Sequence, residues 1–274
     1  MKNNSLPVVG LGYRKELHDA IFHHASEIDC LEILTEHFFE ESNNELLRSL
    51  LDKFQVIPHG LELSIGSTGI NWEYLDKVKK IIEITGTTYY SDHLALTSVP
   101  GISFGTLTPI IPSKEQLVVI IDNVNRLQNY FQVPLVLENI TELIQFPNAI
   151  PIHEFWQQLI DKTGCGLHLD ITNLYVNSFN YGFDSLTEIM RWPLESVVHI
   201  HLSGGRTING EKMDGHDSPI EDESWNLFKC SVGKMKKLKT VIIERDANFP
   251  NFSELLEEIR ITRKTTDEVF TCQS

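Results

Sequence analysis

Histidines and carboxylates recur in this chain at the ends of short apolar runs, a pattern from which metal sites are built. The run V-I-P-H-G ends in His59, and Y-Y-S-D-H-L-A carries His93 with Asp92 beside it. P-L-V-L-E-N-I supplies Glu138 with Asn139, and G-L-H-L-D-I-T-N-L supplies Asp170 and Asn173. V-V-H-I-H-L-S-G contributes His199 and His201, M-D-G-H-D adds Asp214 and His216, and T-V-I-I-E-R-D ends in Glu244 with Asp246 near it. Taken singly, each has an ordinary reading. A lone His59 is more often a satisfied histidine than a ligand, and a lone Glu138 more often a loop carboxylate. Glu138 and Glu244 resist that reading because each closes an apolar run, where an ionised carboxylate is costly to desolvate.

As a set they point to cations. Glu138, Asp170, Asp214 and Glu244 would crowd one region, and two unit charges about 4 Å apart repel by about 4 kcal/mol at an effective dielectric near 20. Divalent metals relieve that repulsion, and neutral imidazoles are their usual companions. The set holds no cysteine, which suits iron, manganese or zinc and disfavours a thiolate-bound structural site. Eight or nine donors exceed what one ion uses, so two or three ions are expected, with Glu138 or Glu244 as the bridge. His168 and His199 lie two residues before Asp170 and His201 and so share a strand face with them. Whether these two are ligands, hydrogen-bond partners of ligands or substrate contacts stays open.

The elements that must position these residues can be read from periodicity. Apolar, β-branched runs fall at 8–12, 30–34, 56–64, 89–96, 135–140, 166–171, 197–202 and 241–244. Helical spacing of apolar residues occupies 14–25, 45–54, 73–85, 152–162, 185–191, 222–235 and 252–259, and Ser113 offers an N-cap with Gln116 three residues on. Alternation of strand and helix implies a parallel sheet, closed as a barrel or opened as a doubly wound fold. Eight units favour closure, no G-x-G-x-x-G follows the first run, and 274 residues suit a (β/α)8 barrel, whose chemistry sits at the carboxyl ends of the strands. We therefore expect a single α/β domain over residues 1–274, a (β/α)8 TIM barrel. The stretch 261–274 lacks apolar periodicity and reads as a flexible tail or a partner contact.

Composition excludes several classes. Lys and Arg number 23 against 38 Asp and Glu, a net charge of −15, and no basic stripe offers phosphate neutralisation, so nucleic acid is not an expected partner. Cys30, Cys165, Cys230 and Cys272 are scattered without a C-x-x-C pair, against a zinc ribbon or a disulfide framework. Neither a signal peptide nor an apolar stretch of membrane-spanning length is visible, so the expected location is cytoplasmic, away from membranes.

The strand-end series resembles that of endonuclease IV and the xylose isomerase-like barrels. It is more similar still to the multinuclear non-haem iron-dependent oxidative enzymes that share this barrel. The likeness is carried by G-L-G-Y-R, P-H-G-L-E-L-S-I-G, S-D-H-L-A, L-V-L-E-N-I, G-C-G-L-H-L-D-I-T-N-L-Y-V-N, H-I-H-L-S-G, D-G-H and I-I-E-R-D-A-N-F-P. These blocks run from about Gly10 to Pro250. Asn173 stands where the endonuclease pattern would have histidine, a departure that favours the oxidative family.

The resemblance implies two or three iron ions of mixed Fe(II)/Fe(III) state, with O2 as co-substrate. His59, His93 and Glu138 would hold one ion, and Glu138, Asp170, His201 and Glu244 a second. Asn173, Asp214 and His216 would hold a third. Glu138, Asp170 and Glu244 become the catalytic carboxylates. The implied substrate is a cysteine-containing, ribosomally made precursor peptide, presented by a small partner protein in a heterodimer. Within the family the chain is most similar to members of methanobactin biosynthesis, which form oxazolone and thioamide groups. Rival readings are a zinc-dependent phosphodiesterase of the endonuclease type, a sugar isomerase or epimerase on the same barrel, and a non-catalytic metal scaffold that docks peptides.

Overall fold

A strand of aliphatic residues with little alternation must be covered on both faces, and a closed parallel sheet ringed by helices does this. In the computed structural model, which describes residues 6–142 and 144–271, eight strands meet that need. They are β1 (Val8–Gly12), β2 (Cys30–Leu34), β3 (Gln55–His59), β4 (Tyr90–His93), β5 (Leu135–Glu138), β6 (Gly166–Asp170), β7 (Val197–Leu202) and β8 (Thr240–Ile243). All neighbours pair in parallel and the ring closes through β1 and β8, confirming the expected (β/α)8 barrel.

The helices are α1 (His18–His23), α2 (Asn44–Leu51), α3 (Trp72–Thr85), α4 (Lys114–Phe131), α5 (Ile152–Thr163), α6 (Ile171–Tyr181), α7 (Ser185–Ile189), α8 (Asp222–Ser231) and α9 (Phe252–Thr271). Ser113 caps α4 as its spacing predicts, accepting from the Gln116 amide at 3.1 Å. The outward strand residues, Leu31, Val56, Leu137, Leu167 and Val241 among them, join the apolar stripes of the helices in one buried core. The opposite strand face carries a separate small cluster of Cys30, Ile57, Tyr89, Val136 and Ile242. That cluster plugs the barrel interior, and the polar residues lie above it toward the carboxyl ends.

The strands stop earlier than apolar runs suggest. The runs 56–64, 89–96, 135–140 and 166–171 end as strands at His59, His93, Glu138 and Asp170, where the chain turns outward around the barrel mouth. At Gly60 the turn is possible only without a side chain, since a Cβ there would lie 2.0 Å from the Tyr90 hydroxyl. Beyond β4 the chain forms an antiparallel ribbon, Ala95–Val99 with Ile102–Pro109, and beyond β7 a smaller one, Arg206–Ile208 with Glu211–Met213. Helix α6 was not legible as a helix. Its start, D-I-T-N, reads as the end of a strand, yet Asp170 caps it by accepting from the Asn173 amide at 2.6 Å.

Cys30 and Cys165 are buried free thiols and Cys230 is an exposed one; Cys272 lies outside the described residues. No helix among the described residues is long and apolar enough to cross a membrane.

One expectation is corrected. Residues 261–271 are not a frayed tail but the second half of α9, while residues 272–274 lie outside the described residues. Threonines stand where aliphatic residues would normally mark the inward stripe. Thr262 and Thr266 are fully buried and return their hydroxyl protons to carbonyls one turn back, at 2.8 and 3.2 Å. Val269 and Phe270 pack against the core, and Arg263 reaches Asp29 at 2.9 Å. Truncation after Arg260 should therefore cost about 3 kcal/mol or more, roughly two partly buried apolar side chains and the threonine packing. Thermal unfolding would show this as a Tm lower by about 6 °C or more; an unchanged Tm would restore the flexible-tail reading.

Candidate metal centre

Side chains on a strand alternate between faces, so register decides which of them meet. His93 pairs with Glu138, and Glu138 with His168. The β6–β7 register shifts after Leu167, so His168 comes opposite His199 and Asp170 opposite His201. This irregularity keeps all four on the inner face. The ribbon after β7 then carries Asp214 and His216 back over the mouth. His216 adopts a left-handed backbone (φ 45°) that a non-glycine residue rarely takes, and its carbonyl accepts from the Asp246 amide at 2.7 Å.

Glu138 lies at the middle. Its Oε2 is 3.3 Å from His59 Nε2, 3.4 Å from His93 Nε2 and 3.4 Å from His168 Nδ1. Its Oε1 is 3.5 Å from His201 Nδ1, which is also 3.0 Å from Glu244 Oε2. That Glu244 oxygen is in turn 3.3 Å from His216 Nδ1, and His216 Nε2 stands 2.5 Å from Asp214 Oδ1. Asp170 joins Glu138 and His201 in one group of donor atoms, and His216 and Glu244 in another. Thus all nine residues expected from the sequence, His59, His93, Glu138, Asp170, Asn173, His201, Asp214, His216 and Glu244, stand at one mouth; all but Asp170 line one cavity, and Asp170 meets Glu138, His201, His216 and Glu244 at its wall.

Whether these residues fit metal ions can be judged from their polar atoms. Glu138 Oε2, Asp170 Oδ2 and Asn173 Oδ1 are buried without a hydrogen-bond partner among the described residues, while His201 Nδ1 faces Glu244 at 3.0 Å and His216 Nε2 faces Asp214 at 2.5 Å. A buried acceptor left unpaired costs about 1–3 kcal/mol, and native structures contain few. Here three cluster together, each of them an oxygen with a free lone pair. The far nitrogens are meanwhile committed. His93 Nδ1 is 3.2 Å from the Gly60 carbonyl, which can only accept, so the lone pair lies on Nε2 facing Glu138. His201 Nε2 meets Glu32 Oε1 at 2.8 Å, leaving Nδ1 toward Glu138 and Glu244. Carboxylate or carbonyl partners of this kind fix the tautomer and orientation of metal-binding histidines. The donor set fits divalent ions of the iron, manganese or zinc type.

The electrostatics points the same way. Burial, reinforced by Asp214 and Glu138, pushes the Asp170 carboxyl well up. Burial also raises Glu32, to about 7. Burial pushes His59 and His168 well below the usual imidazole range, which keeps them neutral. His201 and His216 behave oppositely: although burial disfavours their charge, neighbouring carboxylates led by Glu244 hold both well up. The mouth thus demands positive charge, which protons on His201 and His216 can supply and metal ions can supply in their place.

Some functional residues were missed by sequence reasoning. Glu32 is buried in β2 and lies 3.2 Å from His199 Nε2 as well as holding His201. The signal was available, because a single glutamate within C-L-E-I-L poses the same desolvation problem as Glu138. Arg14 Nη2 reaches Glu244 Oε1 at 3.3 Å, and its Nε donates to Asp246 Oδ1 at 2.7 Å; nothing in the spacing marked it.

Ser91 ties one of the two open histidines to His59. Its hydroxyl is 3.1 Å from His59 Nδ1 and 2.8 Å from His168 Nδ1, and a hydroxyl carries one proton. If His59 offers its Nε2 lone pair to the mouth, its Nδ1–H donates to Ser91, and Ser91 donates onward to His168 Nδ1. His168 then carries its proton on Nε2, an atom with no hydrogen-bond partner among the described residues. His199 Nδ1 lies 2.9 Å from the Tyr89 hydroxyl, and both histidines belong to groups of donor atoms that could hold an ion. Ser91→Ala should weaken divalent metal affinity by about 10–100-fold, read by competition with a chelating dye. Tyr89→Phe, which removes the hydroxyl contacts to His199 and Thr240 but none to His59, should change it much less; equal effects would sink the tautomer argument.

The description "RiPP precursor modification enzyme MbnB/TglH/ChrH", RiPP being a ribosomally synthesised and post-translationally modified peptide, matches residues 8–267. A "UPF0276 protein" of Caulobacter vibrioides is 31% identical over 240 residues, 86% of this chain and 85% of that protein. Among solved structures, a xylose isomerase-like TIM barrel protein from Mycobacterium smegmatis in complex with magnesium superposes with a TM-score of 0.58 at 11% identity, covering 97% of this chain and 98% of that one. Endonuclease IV from Thermus thermophilus superposes with a TM-score of 0.57 at 15% identity, covering 96% and 100%. Likeness at such identity shows the fold alone. The match over residues 8–267 does more: the chain belongs to the MbnB/TglH/ChrH family of RiPP precursor modification enzymes.

Proposed function

We propose that the protein is an iron- and oxygen-dependent oxidoreductase that modifies cysteine side chains of a precursor peptide. The observation that carries this reading is the convergence of nine His, Asn, Asp and Glu donors on one mouth, with Glu138 shared between groups. That number exceeds the coordination of a single ion and suits two or three. His59, His93 and Glu138 would hold one, Glu138, Asp170, His201 and Glu244 a second, and Asn173, Asp214 and His216 a third. Bound iron would supply the redox chemistry by which O2 oxidises the substrate; the protein supplies position and charge.

The residues have distinct tasks in this scheme. Glu138, Asp170 and Glu244 set the negative charge that selects cations, and Glu32 with Ser91 orients His201 and His59. Arg14, mostly buried against Glu244 and Asp246, fixes the outer edge of the mouth beside the third group. The cavity over these donors measures about 250 Å³, room for a cysteine side chain and its flanking backbone. A small partner protein would present the peptide, and the products would be oxazolone and thioamide groups of the methanobactin type.

Protein purified anaerobically without added metal is expected to contain two to three equivalents of iron by elemental analysis. Zinc alone, with iron unable to replace it, would put a phosphodiesterase reading in front. Alanine at Glu138 or Asp170 should abolish both metal retention and oxygen consumption with cysteine peptides; full activity in either variant would overturn the scheme.

A further inference from the structure

A larger cavity than the metal mouth lies directly beside it. It measures about 480 Å³, against about 250 Å³ for the mouth, and the two share Ile140 in their walls. Its lining is dominated by apolar and aromatic side chains, including Ile110, Phe146, Trp156, Leu174, Phe183 and Trp192. Concave sites of this volume and lining are typical of ligand pockets. The rim is apolar as well: Ile144 is 60% exposed and Phe183 38%.

The polar groups in this wall are mostly spoken for. Glu188 takes contacts from His153 at 3.1 Å, Trp192 Nε1 at 3.3 Å and Arg191 at 3.4 Å. Burial, and then Glu188, raises the Glu142 carboxyl above its usual value. A cationic occupant would therefore find the Glu188 carboxylate already saturated. The Trp156 indole N–H is buried without an acceptor among the described residues, a donor that a peptide carbonyl can satisfy. An apolar group carried on a peptide matches both features.

The cavity is also wired to the chemistry. Asn139 follows Glu138 directly and lines the cavity wall. Its side chain donates to the Asp170 carbonyl and accepts from the Asp170 amide, both at 2.9 Å. An occupant therefore presses on the segment that joins two of the carboxylates at the mouth.

We propose that this cavity is a specificity subsite for a large apolar side chain, aromatic or branched aliphatic, of the peptide residue next to the cysteine held at the metal mouth. The proposal rests on the reading of the chain as a peptide-modifying enzyme. It adds which sequence that enzyme selects.

The test uses tryptophan fluorescence of the whole protein, since Trp156 and Trp192 line the cavity, with N-acetyl-phenylalanine amide and N-acetyl-glycine amide as probes. Short cysteine peptides with Phe, Leu, Lys or Gly beside the cysteine follow. The phenylalanine probe and the Phe and Leu peptides should bind at least about tenfold more tightly than their Gly counterparts, about 1.4 kcal/mol. Ala149→Phe, which fills the cavity from its wall, should erase that preference and leave the Gly peptide unaffected. Phe183→Ala, at the rim, should weaken it with no change in metal content. Equal binding of Phe and Gly peptides, preference for Lys, or a preference that survives Ala149→Phe would overturn the subsite. If the phenylalanine probe binds but no peptide is oxidised, the subsite stands and the oxidase reading falls. If all four peptides are oxidised alike, the reverse holds.

Discussion

Glu138 brings a carboxylate to a place where it has almost no water and no hydrogen-bond donor in good geometry, only imidazole nitrogens at 3.3–3.5 Å. A charge in that setting must be compensated, by protons on neighbouring imidazoles such as His201 or by cations at the centre of the cluster. Glu32, Asp170 and Glu244 repeat the condition within the same small volume, each at most 5% exposed. Arg14 reaches Glu244 at 3.3 Å, on the side away from His201 and His216. The apolar plug beneath, Cys30, Ile57, Tyr89, Val136 and Ile242, closes the barrel to solvent from below and keeps the dielectric low. Low dielectric strengthens attraction to a bound cation and raises the cost of lacking one.

A second layer of contacts makes the donor atoms point inward. The Gly60 carbonyl, the Glu32 carboxylate and the Ser91 hydroxyl each occupy the nitrogen of a histidine that faces away from the mouth. They come from strands β2 and β4 and from the turn after β3, so their placement depends on barrel register. A shift of one residue in any of these strands would turn the inward set to the helix side. The fold positions the chemistry through its hydrogen-bond ladder as much as through its core.

The barrel, and the meeting of His59, His93, Glu138, Asp170, His201 and Glu244 at its mouth, were legible from the chain because they obey two strong local rules: alternation of apolar strands with helices, and polar residues at strand ends. Glu32 was passed over because it sits inside a strand instead of at its end, although it faces the same interior. Helix α6 was hidden because Asp170 ends one element and caps the next. The second half of α9 was hidden because Thr262 and Thr266 are buried polar residues that satisfy themselves within the helix, so hydropathy did not mark them as inward. Strand ends were overestimated wherever an apolar run continued into a turn such as Leu61 to Ser64. The aromatic cavity drew on α5, α6, α7 and the loops after β4 and β5, too dispersed for any window of sequence to reveal.

The dual use of Asp170 has an evolutionary side. One oxygen starts α6 by capping it at 2.6 Å, and the other faces the mouth. Loss of this residue therefore removes a helix start, worth about 1 kcal/mol, together with a donor. Asp214 and His216 hang from a short ribbon outside the barrel and start no helix. Drift toward a new metal or a new reaction on this scaffold can proceed through the ribbon-borne pair at little cost to folding. At Asp170 the folding of the chain and its chemistry are under one selection.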